Sequence, residues 1–132
     1  MGAPVVHWEI IGHDYGKLAK FYGSLFDWKF DTDNPVSYGV VSREDNLNAE
    51  GIGIGGGLMG MEGHPEMQGY GGHVTFYVEV PEIEAALKKA EDLGGKRMMG
   101  PEAVPGGPTI AQFLDPEGRM VGLVQAGTMT DT

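Results

Sequence analysis

The sequence predicts an α+β fold: two βαβββ units in one chain, their curved mixed sheets forming a cup and their helices lying outside. Three observations carry this expectation. Each half opens on a strand-like run containing a histidine, His7 in Val-Val-His-Trp-Glu-Ile-Ile and His73 in His-Val-Thr-Phe-Tyr-Val. Each run is followed by apolar residues at helical spacing: Leu18, Phe21, Tyr22, Leu25 and Phe26 in the first half, Ile83, Ala86, Leu87 and Ala90 in the second. After each helical stripe come three short β-rich segments separated by turn residues. Identity between the halves is slight, so what repeats is the pattern.

Taken in order, residues 5–11 are rich in β-branched and aromatic types and predict the first strand. Asp14 is placed to cap the following helix, because a side-chain oxygen there accepts from backbone N–H groups with no partner inside the helix. Short strands are predicted at 28–30, 36–42 and 52–58, with turn material at 31–35 and 43–46. Residues 59–72 show no periodicity and read as a linker or lid. The first unit is therefore expected over 4–58 and the second over 73–127, within one domain spanning 1–132. In the second unit a strand is predicted at 73–80, and Pro81 suits the entry to a helix that Gly94-Gly95 ends. Strands at 96–99, 109–114 and 120–125 complete it, with Asp115-Pro116-Glu117-Gly118 as a type I turn between the last two.

Nine basic residues against 19 acidic ones give a formal net charge of −10. That balance argues against nucleic acid and anionic membrane as partners, since both recruit clustered cations. The chain has no cysteine, which rules out disulfides, thiolate metal sites and a cysteine nucleophile. No apolar run approaches the roughly 20 residues needed to span a bilayer. The start of the sequence, Met1-Gly2-Ala3-Pro4, has no basic stretch ahead of an apolar core, so a cytoplasmic protein is expected.

Alternation along a strand sends successive side chains to opposite faces. His7, Glu9 and Ile11 therefore share one face, while Trp8 and Ile10 share the other, expected to pack under the helix. In the second half His73, Thr75, Tyr77 and Glu79 share the inner face. Glu9 beside His7 has two readings: a substitute carboxylate, acting as a ligand or as a general base whose pKa is raised by burial, or a carboxylate that pairs with an Arg or Lys and only shapes the pocket. Together with Tyr38, Tyr77 and Phe113 as ring-bearing lining, the expected ligand-binding set is His7, Glu9, Tyr38, His73, Tyr77 and Phe113. The glycine-rich run at 52–58 lacks the lysine and serine or threonine of a phosphate loop. It reads as a strand kept bare so that a ligand or neighbouring backbone can approach closely. Met59, Met61 and Met67 suit either an adaptable apolar lid or filling between halves or subunits.

These residues also resemble a known family. His7 with Lys17-Leu-Ala-Lys-Phe-Tyr22 and Phe26-Asp-Trp28 resembles the opening of the vicinal oxygen chelate superfamily, which includes glyoxalases, bleomycin-resistance proteins and extradiol dioxygenases. Gly72-His73-Val-Thr-Phe-Tyr-Val78 resembles its second half, and Asp115-Pro-Glu-Gly-Arg-Met-Val-Gly-Leu123 its closing hairpin. The resemblance implies a cup for a small molecule. In the metal-dependent members it also implies one divalent ion (zinc, nickel, iron or manganese) held by histidines on the first and fifth strands and carboxylates on the fourth and eighth. His7 and His73 match the histidine positions, Gly122 stands where the eighth-strand carboxylate belongs, and 52–58 offers no carboxylate. The resemblance further implies a homodimer in which His7 of one chain faces His73 of the other.

Two functional readings follow. In the first, the chain binds a cationic or aromatic small molecule in a glycine-widened cup without a complete metal site. In the second, His7 and His73 hold a metal for lyase, isomerase or dioxygenase chemistry.

Overall fold

The computed structural model describes residues 2–129; the ends of the expected domain, residue 1 and residues 130–132, lie outside the described residues. Seven strands and two α-helices are found among them, a mixed α+β content. They form two compact units, one of residues 7–74 and one of residues 2–6 with 75–129.

The first unit contains β1 (Val5–Gly12, from His7 onward), α1 (Tyr15–Phe26), β2 (Gly39–Val41) and β3 (Gly56–Gly60). β3 lies between the others, parallel to β1 and antiparallel to β2, with Trp8 opposite Gly56 and Glu9 opposite Gly57. Asp14 caps α1 as expected, its Oδ1 accepting from the Lys17 N–H at 3.1 Å. Trp28 stacks on Trp8 at a centroid distance of 4.6 Å and on Tyr22 at 6.0 Å, so aromatic rings fill the helix side of β1. The stripe on α1 is less covered than its spacing predicts. Leu18 and Tyr22 are half-buried, but Phe21, Leu25 and Phe26 are 57%, 59% and 51% exposed.

The strands of this unit are shorter than the sequence suggests. Residues 28–30 form none, and pairing there shrinks to one bridge between Asp31 and Val40. Trp28 and Phe30 spend their rings on the aromatic cluster, and the turn begins at once, with Asp31 Oδ1 accepting from the Asp33 N–H at 2.9 Å. The strand expected at 36–42 is reduced to β2 because Ser37 sits in the left-handed region at φ 53°. The strand expected at 52–58 starts only at Gly56 and extends to Gly60, while Ile52 is 68% exposed.

The second unit matches its sequence reading closely. It holds β4 (His73–Val80, from Thr75 onward), α2 (Ile83–Asp92), β5 (Lys96–Ala103), β6 (Thr109–Leu114) and β7 (Met120–Gln125). β4 runs parallel to β7, and β6 is antiparallel to both β7 and β5. The opening strand thus lies parallel to the closing strand, as β1 does to β3. Under α2 the core consists of Ile83, Leu87, Ala111 and Leu123, with Val78, Val80, Ala86 and Phe113 packed against it. Full burial of a side chain such as Leu87 contributes about 1.5–3 kcal/mol. Glu82 supplies no side-chain cap to α2; Gln125 does so instead. Its Oε1 accepts from the Ile83 N–H at 2.8 Å, and its Nε2 donates to the Pro81 carbonyl at 2.5 Å. The helix closes at Gly94-Gly95, where the Gly95 N–H donates to the Ala90 carbonyl at 2.8 Å. The 115–118 turn also forms, with Asp115 Oδ1 accepting from the N–H groups of Glu117 and Arg119. Those backbone donors, Arg119 first, pull the Asp115 carboxyl below its ordinary value.

Candidate functional site

The site grows from the alternation of β1. Trp8 turns to the aromatic cluster beside α1, so Glu9 turns to the opposite face, where it is only 7% exposed. An ionised carboxylate in such a place needs donors to offset lost hydration, and two tyrosines and two histidines of the same unit build a chain of them.

Tyr38 reaches Glu9 across Gly57. A β-carbon on Gly57 would stand inside the Tyr38 ring, so the bare strand position is what lets the ring lie there. The backbone of Tyr38 is held by one side chain: Asn34 Oδ1 accepts from its N–H at 2.9 Å, and Asn34 Nδ2 donates to its carbonyl at 2.7 Å. So placed, the Tyr38 hydroxyl donates to Glu9 Oε1 at 3.0 Å and lies 3.0 Å from His7 Nε2. The hydroxyl has one proton and gives it to the carboxylate, so His7 Nε2–H is the donor of the second bond. Burial lowers the pKa of His7 from 6.5, outweighing the pull of Glu9 in the other direction, which agrees with a neutral ring.

The other carboxylate oxygen is met from the start of β4. His73 Nε2 donates to Glu9 Oε2 at 2.8 Å, and His73 Nδ1 lies 2.5 Å from the hydroxyl of Tyr70. Tyr70 is folded back onto His73 by the Gly71-Gly72 link. Gly72 has φ 88°, and a β-carbon on it would collide with the Ile11 carbonyl, so only glycine fits. Tyr70 is 38% exposed, and burial followed by the charge of Glu9 raises its pKa above 10.0. The result is a continuous chain, Tyr70–His73–Glu9–Tyr38–His7, with the carboxylate at its centre.

Four sequence-derived candidates, His7, Glu9, Tyr38 and His73, thus come together within the first unit. His7 and His73 of one chain meet the same Glu9–Tyr38 pair. Tyr77 lies in the second unit, buried, its hydroxyl accepting from Gln112 Nε2 at 2.9 Å. Its ring occupies the space a side chain on Gly122 would need. The glycines at 57 and 122 therefore do not widen a cavity; tyrosines of this chain fill the room they leave. Phe113 also lies in the second unit, on β6. Strand alternation puts it on the same side as Ala111, under α2, where it lines an apolar recess of about 330 Å³ with Ala90, Leu93 and Leu123. Tyr70 and Asn34 escaped the sequence reading. The spacing Tyr70-Gly-Gly-His73 was the available signal for the first, since two glycines before a strand allow a tight reversal.

A divalent ion fits this donor set poorly. No group of three or more His, Cys, Asp or Glu side chains able to hold a metal occurs among the described residues. Zinc-like ions take three or four protein ligands, and the His7 and His73 Nε2 atoms already serve Tyr38 and Glu9.

The profile of the glyoxalase/bleomycin resistance protein/dioxygenase superfamily matches residues 5–123. The chain is 33% identical over 116 residues to CFP32 of Mycobacterium bovis and of Mycobacterium tuberculosis, a protein whose name places it among glyoxylases. The match takes in 86% of this chain and 42% of each relative, so the chain spans less than half the length of these curated relatives. Among solved structures, a Streptomyces coelicolor methylmalonyl-CoA epimerase in complex with 2-nitronate-propionyl-CoA has a TM-score of 0.64. It is 16% identical, over 96% of this chain and 99% of that one. Hypothetical protein BH1468 from Bacillus halodurans has a TM-score of 0.67 at 14% identity, over all of both chains. At such identities the likeness is one of fold.

Proposed function

The chain belongs to the glyoxalase/bleomycin resistance protein/dioxygenase superfamily, and on that premise we propose that it binds a small molecule without a resident metal, at the hydrogen-bonded chain centred on Glu9. One observation carries the reading. Glu9 is the buried charged residue of the described core, and its carboxylate is held by His73 and Tyr38. Buried polar networks of this kind cost stability unless every member is satisfied, and packing alone gives no reason to place one here. An anionic centre bordered by tyrosine and histidine rings suits a cationic or aromatic ligand. The chain's formal charge of −10 disfavours anions in the same direction.

The test is a thermal-shift screen with small aromatic amines and quaternary ammonium compounds, repeated on Glu9→Gln. A ligand at 100 times its Kd adds about 2.7 kcal/mol to stability. Stabilisation by such compounds that vanishes in the folded Glu9→Gln protein supports the reading. Equal stabilisation of both proteins, or none of either, counts against it. The proposal includes a homodimer, for which the half-exposed Phe21, Leu25 and Phe26 on α1 supply apolar surface. A monomer in light scattering at micromolar concentration contradicts that part.

A further inference from the structure

From the order of the hydrogen bonds we infer that Tyr70, His73 and Glu9 form a phenol–imidazole–carboxylate relay that makes the Tyr70 oxygen a nucleophile toward a small electrophile carrying a leaving group. This goes beyond the binding reading, although it uses residues of the same hydrogen-bonded chain. The geometry is that of a hydroxyl activated by a base whose far nitrogen is oriented by a carboxylate. The oxygen lies 2.5 Å from His73 Nδ1, and His73 Nε2 lies 2.8 Å from Glu9 Oε2. Glu9 fixes the tautomer. With a carboxylate oxygen as acceptor at 2.8 Å, Nε2 carries the proton and Nδ1 is left to accept from Tyr70.

Exposure grades along the relay in the direction such a device requires. Glu9 is 7% exposed, the His73 side chain 11%, and Tyr70 38%, so only the phenol end faces reagents. The second arm, Tyr38, occupies the other carboxylate oxygen and holds Glu9 against rotation away from His73. Burial and the charge of Glu9 push the phenol above its ordinary range, so phenolate is not the resting form. Reactivity comes instead from transfer of the proton as the new bond forms. In the step, the Tyr70 oxygen bonds to the electrophilic centre and the leaving group departs with its electron pair. The Tyr70 proton passes to His73 Nδ1, and the resulting imidazolium is paired with the Glu9 carboxylate.

The probe is benzenesulfonyl fluoride, which transfers its sulfonyl group to the phenol and releases fluoride. Labelling of the full chain is followed by peptide mass spectrometry against free N-acetyltyrosinamide under the same conditions. Tyr70 is expected to react at least about tenfold faster than the free amide, partial burial taking back part of the roughly 100- to 10,000-fold that general-base assistance contributes. His73→Gln and Glu9→Gln, each checked for native circular dichroism, are expected to remove that excess, and Tyr70→Phe to remove the label. Should Glu9→Gln fail to fold, His73→Gln alone decides. Labelling no faster than the free amide, or unchanged in His73→Gln, overturns the inference. The assay contains no other ligand, so its failure leaves the binding proposal standing, and failure of the ligand screen leaves this result standing.

Discussion

Replacing Gly57 by alanine should expose how the site is assembled. The added β-carbon would stand inside the Tyr38 ring, and forcing a methyl group into filled space costs about 1–3 kcal/mol. If the ring moves aside, its hydrogen bond to the Glu9 carboxylate is lost as well, a bond of a class worth about 1.5–3 kcal/mol. Against this stands a gain of about 0.5–1 kcal/mol, because alanine loses less backbone freedom than glycine on entering a strand. The single variant is therefore expected to be destabilised by about 1.5–5.5 kcal/mol. In a Tyr38→Ala background both the obstacle and the bond are gone, and the same substitution should be neutral or stabilising by up to about 1 kcal/mol. Urea unfolding followed by the fluorescence of Trp8 and Trp28 gives all four corners of this double-mutant cycle. Equal cost of Gly57→Ala in both backgrounds would refute the claim that the bare strand position exists for the tyrosine.

Three further outcomes follow from the same geometry. His7 has a folded pKa below its unfolded 6.5, so the unfolded state takes up its proton first as pH falls. Stability due to neutral His7 is complete above 6.5 and is lost as pH drops from there toward the folded value; a pH series of urea unfolding should show this slope, and His7→Gln should flatten it. Asn34→Ala removes both bonds that fix the Tyr38 backbone and should cost about 1–2 kcal/mol. It should also shift the ring resonances of His7 in NMR spectra, whereas unchanged His7 resonances would deny Asn34 its positioning role. Gln125→Ala strips the cap from α2 and should cost about 1 kcal/mol, read as a lower urea midpoint with unchanged His7 and His73 signals.

The second unit was readable almost strand for strand because its signals are local: alternating β-rich runs, a proline–glycine turn at 115–118 and a glycine pair after α2. The first unit blurred where side chains override local preference. Asn34 wraps the backbone around Ser37, the rings of Trp28 and Phe30 go to an aromatic cluster, and only fragments of the expected strands remain. Glu9 and His7 could be placed on one face by period-two alternation alone. The glycines were harder. A missing side chain marks close approach but not what approaches, and the occupants are Tyr38 and Tyr77, 19 and 45 positions away in sequence. Tyr70 lay in an aperiodic stretch, and its role depends on a left-handed Gly72 that sequence periodicity does not register.

The central claim, a buried carboxylate network that serves ligand binding without a resident metal, is tested most directly by elemental analysis. The protein is incubated with zinc, nickel, iron or manganese salts, dialysed and measured beside His7→Ala and His73→Ala. Trace metal in all three proteins is the predicted result. About one equivalent per chain in the native protein, lost in either variant, would contradict it and make His7 and His73 ligands of a catalytic or structural ion.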